Sequence, residues 1–183
     1  CSYLESAKFP RIVVDKMPLH ILHTASIIQI FPEAKFIFAL RHPCDCVLSC
    51  LFKTFDPNPA MVNFLTLEGA ANFYDETMKL WTHYQSTMEL DLIYVRYEDL
   101  VSSFQPTLEP LLKFLKCDWE DELKNYRNTA ISRDRIATPS YKQVTQALCS
   151  RATGRWLRYR EEMEPVLPIL QKWSDHWGYS QSN

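Results

Sequence analysis

The segment Leu40-Arg41-His42-Pro43-Cys44-Asp45-Cys46-Val47-Leu48-Ser49 gathers groups that can hold an anion. Arg41 leaves an apolar run, and Pro43 suits the first turn of a helix. A helix N-terminus presents unpaired backbone N–H groups and the positive end of the helix dipole. Arg41 adds a planar fork matched to phosphate oxygens. Ser49 falls on the inner side of this helix and offers a further hydrogen bond, while Asp45 is placed to cap the helix start. An Arg in this position also serves as the partner of a surface carboxylate, and both readings stand on the residues alone. Lys16, after the apolar run Ile12-Val13-Val14, is a second cation at the end of an apolar segment.

Composition narrows the partner. The chain has 183 residues, is 46% hydrophobic and carries a net charge of -2. That is enough for one domain with a sizeable core. Between Lys124 and Arg160 lie nine Lys or Arg residues and one acid, Asp134. A basic stretch inside a mildly acidic chain favours an anionic ligand over bulk nucleic-acid binding, a solvated basic face being the plainer alternative. Cys1, Cys44, Cys46, Cys50, Cys117 and Cys149 match no common zinc spacing, so no metal site is expected. Reduced thiols and the lack of a visible signal peptide favour a cytoplasmic location, the lumen of the secretory pathway being the alternative. No run of eighteen apolar residues occurs, so no membrane span is expected. Cys1 stands where an initiator Met would, so the chain reads as a fragment, a processed product or the ordered part of something longer.

The elements that position these residues alternate between strand and helix. Arg11 to Asp15 reads as a short buried strand, Leu19 to Phe31 as a helix closed by Pro32, and Lys35 to Leu40 as a second strand. Short connections between them imply a right-handed parallel crossover. A helix is expected from Pro43 to about Phe52, a proline-bearing loop from Asp56 to Asn63, and a long helix from Thr66 to Met88. Its stripe of Leu67, Ala70, Phe73, Tyr74, Met78, Trp81 and Tyr84 is read as core. Leu92 to Val95 is a third strand, followed by helices at Pro106 to Leu115 and Glu120 to Tyr126. Arg127 to Thr153 reads as a long ordered loop, and Pro165 to Trp177 as a closing helix. The class is α/β, with a parallel sheet covered by helices. Ligands of such sheets sit at the strands' carboxyl ends, which directs attention to Lys16, Arg41 and the residues after Val95.

Five segments in order carry a family resemblance. Arg41-x-Pro43-x-Asp45 followed by Ser49 resembles the 3′-phosphate motif of sulfotransferases. Asp15-Lys16-Met17-Pro18 resembles a motif of protein-tyrosine sulfotransferases. Phe31-Pro32-Glu33-Ala34-Lys35-Phe36 resembles the link into the phosphate-binding strand. Val95-Arg96-Tyr97-Glu98-Asp99-Leu100-Val101 resembles the family's Tyr-Glu-Asp-Leu segment. Ser140 to Val144, then Thr153-Gly154-Arg155-Trp156, resembles the loop that closes over the nucleotide. The nearest likeness is to bacterial sulfotransferases that follow tetratricopeptide repeats.

The resemblance implies a P-loop-like, three-layer sulfotransferase fold with a central parallel sheet, truncated at its N-terminus. Residues 1–183 would be one domain, the C-terminal two-thirds of the family's. It implies transfer of a sulfuryl group from 3′-phosphoadenosine 5′-phosphosulfate to a hydroxyl acceptor, which could be a polypeptide tyrosine. Arg41 and Ser49 would then bind the 3′-phosphate. Lys53, one turn later, would add a basic contact or remain a solvated lysine. Tyr97 would contact the adenine or be a half-buried aromatic at a strand end. Arg155 would reach a phosphate, with Trp156 packing beside it. Glu98 and Asp99 would be structural. Lys16 and Ser140 would be catalytic, stabilising charge on the transferring group; a salt-bridged Lys and a turn-forming Ser are the plainer alternatives. His20 and His23 match no catalytic position.

The sequence also departs from the family. Its Pro-Arg-Ser-Gly-Thr-Thr type turn, the cradle of the 5′-phosphosulfate, is not among the 183 residues, whose only glycines are Gly69, Gly154 and Gly178. The general base finds no match either. Hence the competing reading is a catalytically incomplete nucleotide-binding or interaction module that keeps the fold. A nucleotide kinase of related architecture would need a Walker-type loop that the chain lacks.

Overall fold

The computed structural model describes residues 12–53, 55, 58–121, 123 and 152–179. Two parallel strands pair in register, β1 (Lys35–Leu40) with β2 (Asp91–Arg96), so that Lys35 opposes Asp91 and Leu40 opposes Arg96. Lys35 and Asp91 also form an ion pair across the sheet's entry end. The connection between the strands runs through α2 (Pro43–Leu51), a 3-10 turn (Met61–Leu65) and α3 (Leu67–Thr87). Ahead of β1 come a 3-10 helix (Pro18–His23) and α1 (Thr24–Ile30). After β2 come α4 (Tyr97–Ser102) and α5 (Phe104–Leu115). The last described segment holds a 3-10 turn (Arg155–Tyr159), α6 (Arg160–Met163), another 3-10 turn (Glu164–Val166) and α7 (Leu167–His176).

The long helix forms where its periodicity places it. Thr66 caps α3, its hydroxyl accepting from the Gly69 N–H at 3.0 Å. Gly69 is obligatory for space, since a Cβ there would lie 2.5 Å from the Asn63 carbonyl oxygen. The expected stripe does bury Ala70, Met78 and Trp81. Two apolar clusters share α3 and α7. In one, Phe38 stacks on Trp81 at 4.7 Å, with Leu40, Trp173 and Trp177 around them. In the other, Val47 and Leu48 of α2 meet Ala70, Ala71, Met163, Val166 and Leu170. Because side chains alternate along a strand, Phe38, Leu40 and Leu92 face this core while Ile37 and Ala39 are exposed on the opposite face. Asp75 ties α3 to α7 from inside, accepting from Trp173 Nε1 at 2.7 Å and pairing with Lys172 at 2.6 Å and Lys79 at 2.9 Å.

The α/β class with a parallel sheet holds. The expected first strand does not: residues 12–17 form no regular element, and Val13 and Val14 are 79% and 70% exposed. An apolar triplet becomes a strand only through a partner's backbone, and no described strand pairs with it. The expected crossover into β1 therefore lacks its first strand, and the parallel crossover observed is the one through α3. The helix after Pro18 starts as a 3-10 turn rather than as α-helix. Sequence alone assigns no element to 97–102, which is helical. The expected helix from Glu120 to Tyr126 and the loop from Arg127 to Thr153 lie largely outside the described residues. No described helix is long and apolar enough to cross a membrane.

Candidate anion-binding site

Strand register assembles the site. Leu40 and Arg96 are paired, so the next residues, Arg41 and Tyr97, leave the sheet side by side. The Arg41 guanidinium lies 5.2 Å from the Tyr97 ring centroid. Its Nη2 donates to the Ala152 carbonyl at 2.7 Å. Its Nε is buried and has no hydrogen-bond partner among the described residues. Leaving a buried donor unpaired costs about 1–3 kcal/mol, more for a charged group, so an anion delivered here is stabilised by it.

The start of α2 lies next to this arginine. His42 is the cap: its Nδ1 accepts from the Cys44 N–H at 3.2 Å, and its own backbone N–H donates to Glu98 Oε1 at 3.0 Å. Burial lowers the His42 pKa, with Arg41 acting in the same direction and Asp45 and Glu98 against it. A neutral ring is what the cap requires, since a protonated Nδ1 cannot accept. The ring stacks on Trp156 at 5.2 Å and meets Tyr179 edge-on at 4.9 Å. Glu98 also accepts from the Tyr179 hydroxyl at 2.8 Å, fixing the chain's last described residue to the strand ends. Asp99 pairs with Arg96 at 3.8 Å. Both acids thus make contacts within the fold, Glu98 to His42 and Tyr179, Asp99 to Arg96.

Asp45 corrects one expectation. It does not cap α2. Buried to 1% exposure, it accepts from the Gly154 N–H at 2.7 Å and the Trp156 N–H at 2.9 Å. Gly154 has φ of 66°, a left-handed conformation that glycine adopts without strain. Asp45 thereby holds the 152–156 segment against α2. This in turn places Arg155, whose guanidinium lies 4.8 Å from the Phe52 ring centroid and 6.0 Å from that of Tyr159.

Arg41 and Tyr97 are thus in contact, Ser49 and Lys53 lie one turn apart at the partly buried end of α2, and Arg155 stands beside the residue preceding Lys53. Trp156 packs, as expected for its ring. Lys16 is not brought to this group. It is exposed in the irregular 12–17 segment, with no hydrogen bond or ion pair among the described residues. Ser140 lies outside the described residues. Sequence reasoning did not find the His42 cap or the Asp45 tether. The Pro at the first turn marks the cap position, but His is an uncommon cap, and the tether joins residues 109 apart. No cluster of His, Cys, Asp or Glu able to hold a metal occurs among the described residues.

A protein of Aquifex aeolicus (strain VF5), described as uncharacterized, is 26% identical over 167 residues, covering 91% of this chain. The chain spans only 21% of that protein's length. Residues 2–121, which include Arg41, the whole of α2 and Tyr97, match the model of the sulfotransferase family, and the chain belongs to that family.

Proposed function

We propose that this chain carries the 3′-phosphate and adenine side of a sulfotransferase's donor site, in a protein that moves a sulfuryl group from 3′-phosphoadenosine 5′-phosphosulfate to a hydroxyl. The observation that carries the reading is Arg41: a guanidinium at a strand's carboxyl end, beside a helix N-terminus, with a buried Nε lacking a partner among the described residues. In this reading Arg41 and Ser49 hold the 3′-phosphate, Lys53 and Arg155 add positive charge, and the adenine lies against Tyr97. Lys16 and Ser140 would act on the sulfuryl group, where charge builds on bridging and equatorial oxygens during in-line transfer. The acceptor follows from the branch that the Asp15-Lys16-Met17-Pro18 motif resembles, a tyrosine on a polypeptide. Upstream tetratricopeptide repeats would suit such a polypeptide partner, and the free thiols of Cys44, Cys46, Cys50 and Cys117 suit a reducing, cytoplasmic setting.

The test is transfer of labelled sulfuryl from the donor to a tyrosine-containing peptide by the intact protein. The account expects Arg41→Ala to raise the donor KM at least tenfold, and Lys16→Ala to lower kcat with little change in donor KM. Transfer that is indifferent to Arg41→Ala would refute the assignment. The second reading, a nucleotide-binding or interaction module without transfer, is favoured by Lys16 being exposed, with no hydrogen bond or ion pair among the described residues. It predicts nucleotide binding with no transfer by the intact protein.

A further inference from the structure

His42 joins four separate parts of the chain. It lies between β1 and α2 with φ of -48° and ψ of 125°, outside the helix that it starts. Its Nδ1 accepts from the Cys44 N–H at 3.2 Å, and its carbonyl accepts from the Cys46 N–H at 2.9 Å. Its own N–H donates to Glu98 Oε1 of α4 at 3.0 Å. The ring lies nearly parallel to that of Trp156, at 5.2 Å with an interplanar angle of 20°, and meets Tyr179 edge-on at 4.9 Å. Tyr179 is held in turn by Glu98 Oε2 at 2.8 Å and by the Arg96 guanidinium, 4.2 Å from its ring centroid. A helix cap needs only the Nδ1 contact, which Asn, Asp or Ser supplies with fewer atoms. Capping alone therefore leaves the imidazole ring unexplained.

The ring's neighbours are the parts of the chain that hold Arg41. Arg41 precedes His42 directly, and its Nη2 donates to the Ala152 carbonyl at 2.7 Å. Ala152 begins the segment that leads to Trp156, the residue stacked on the His42 ring. Asp45 clamps this segment from within α2, through the Gly154 and Trp156 N–H groups. His42 clamps it from the side of the strand ends. Together the two clamps fix the carbonyl against which Arg41 rests. They also fix the direction of its buried Nε, which has no partner among the described residues.

Keeping all of these contacts requires a neutral ring. A proton on Nδ1 would face the Cys44 N–H, donor against donor. Turning the ring to escape that clash takes it off the Trp156 plane. The charged groups around the ring divide by sign. Arg41 repels an imidazolium, while Asp45 and Glu98 attract one. Both acids are already engaged, Asp45 by two backbone N–H groups and Glu98 by the His42 N–H and the Tyr179 hydroxyl. Arg96 stands behind Tyr179, and Cys44 stays a neutral thiol. Burial outweighs the acids and holds the His42 pKa below its ordinary 6.5, so the neutral ring is kept above that pH and lost below it.

We propose that His42 is a positioning residue for the donor's 3′-phosphate. Its neutral ring latches Trp156 and Tyr179 to the start of α2, and protonating it opens the latch and weakens donor binding. The effect on binding rests on the proposed donor site, whereas the latch does not. An imidazolium also brings positive charge toward a phosphate, which by itself strengthens binding. The proposal holds that displacing Arg41 outweighs that added charge.

The experiment titrates the 183-residue chain with 3′,5′-adenosine bisphosphate from about pH 7.5 to about pH 5, with circular dichroism confirming that each protein is folded. Wild type is compared with His42→Asn, which keeps a cap oxygen and loses the ring, and with His42→Phe, which keeps a ring and loses the acceptor. The ligand's phosphates titrate near pH 6 themselves, so the quantity read is the acid loss of wild type relative to His42→Asn. At the upper pH both variants should bind at least threefold more weakly than wild type. On acidification wild type should lose at least threefold more affinity than His42→Asn. Amide protection factors at Cys44 and Trp156 should fall in wild type over the same range, whereas Cys44 keeps its protection in His42→Asn. Wild-type affinity in both variants, an equal acid loss in wild type and His42→Asn, or binding that tightens in acid relative to His42→Asn would overturn the positioning role. If wild type binds no bisphosphate at any pH, the donor reading is overturned and amide protection alone decides the latch. Acid loss of protection at Cys44 and Trp156 then supports it, and unchanged protection at both overturns it.

Discussion

Replacing Asp45 by Asn tests whether the tether between α2 and the 152–156 segment organises the site. The carboxylate is 1% exposed and accepts two backbone N–H bonds, from Gly154 at 2.7 Å and Trp156 at 2.9 Å. Hydrogen bonds to a charged acceptor contribute about 1.5–3 kcal/mol each. Asn keeps one acceptor oxygen and turns an NH2 toward the second N–H. One bond is lost and two donors are left facing each other in a buried place. The expected loss is about 2–4 kcal/mol of unfolding free energy, measured by urea titration at neutral pH. Amide exchange at Gly154 and Trp156 should accelerate more than in β1, because the segment opens before the sheet does. Affinity for 3′,5′-adenosine bisphosphate should fall as well, since Arg41 Nη2 is held by Ala152 in the same segment. A loss below about 0.5 kcal/mol with unchanged exchange at both amides would refute the reasoning.

Further predictions follow from other packed or titrating groups. Trp81→Ala should cost about 3–5 kcal/mol in urea unfolding, since the ring is 2% exposed and stacks on Phe38 at 4.7 Å. Asp75 is opposed by its burial, but the hydrogen bonds from Lys172, Lys79 and Trp173 outweigh it and hold its pKa below the ordinary 3.8. Its contribution is fully present above the unfolded-state pKa and is lost as pH falls through the folded-state value. An acid-unfolding series should therefore show a slope below about pH 4 that Asp75→Asn flattens. His42 also has a depressed pKa, so its contribution is present above the unfolded value of 6.5 and fades as acidification protonates the cap. Stability should drop from pH 6.5 downward in wild type and less in His42→Asn, whose amide oxygen can still cap α2.

Much of this architecture is legible from the chain, and the exceptions have physical causes. The Thr66–Gly69 cap and the α3 stripe are local patterns, so periodicity finds the helix within one residue at each end. Arg41 follows one apolar run and Arg96-Tyr97 follow another, and the parallel register that pairs Leu40 with Arg96 places Arg41 and Tyr97 together. The Ile12-Val13-Val14 run misleads because β character resides in a partner strand, not in the triplet. Asp45 misleads for a different reason. Its type and position fit a helix cap, but a buried carboxylate goes to whichever donors tertiary structure brings, here those of Gly154 and Trp156.

The central claim is that Arg41 binds the donor's 3′-phosphate. Calorimetric titration of wild type and Arg41→Ala with 3′,5′-adenosine bisphosphate and with adenosine 5′-monophosphate tests it most directly. The account predicts that removing the 3′-phosphate weakens wild-type binding at least tenfold and leaves binding to Arg41→Ala almost unchanged. Equal sensitivity to the 3′-phosphate in both proteins would contradict it.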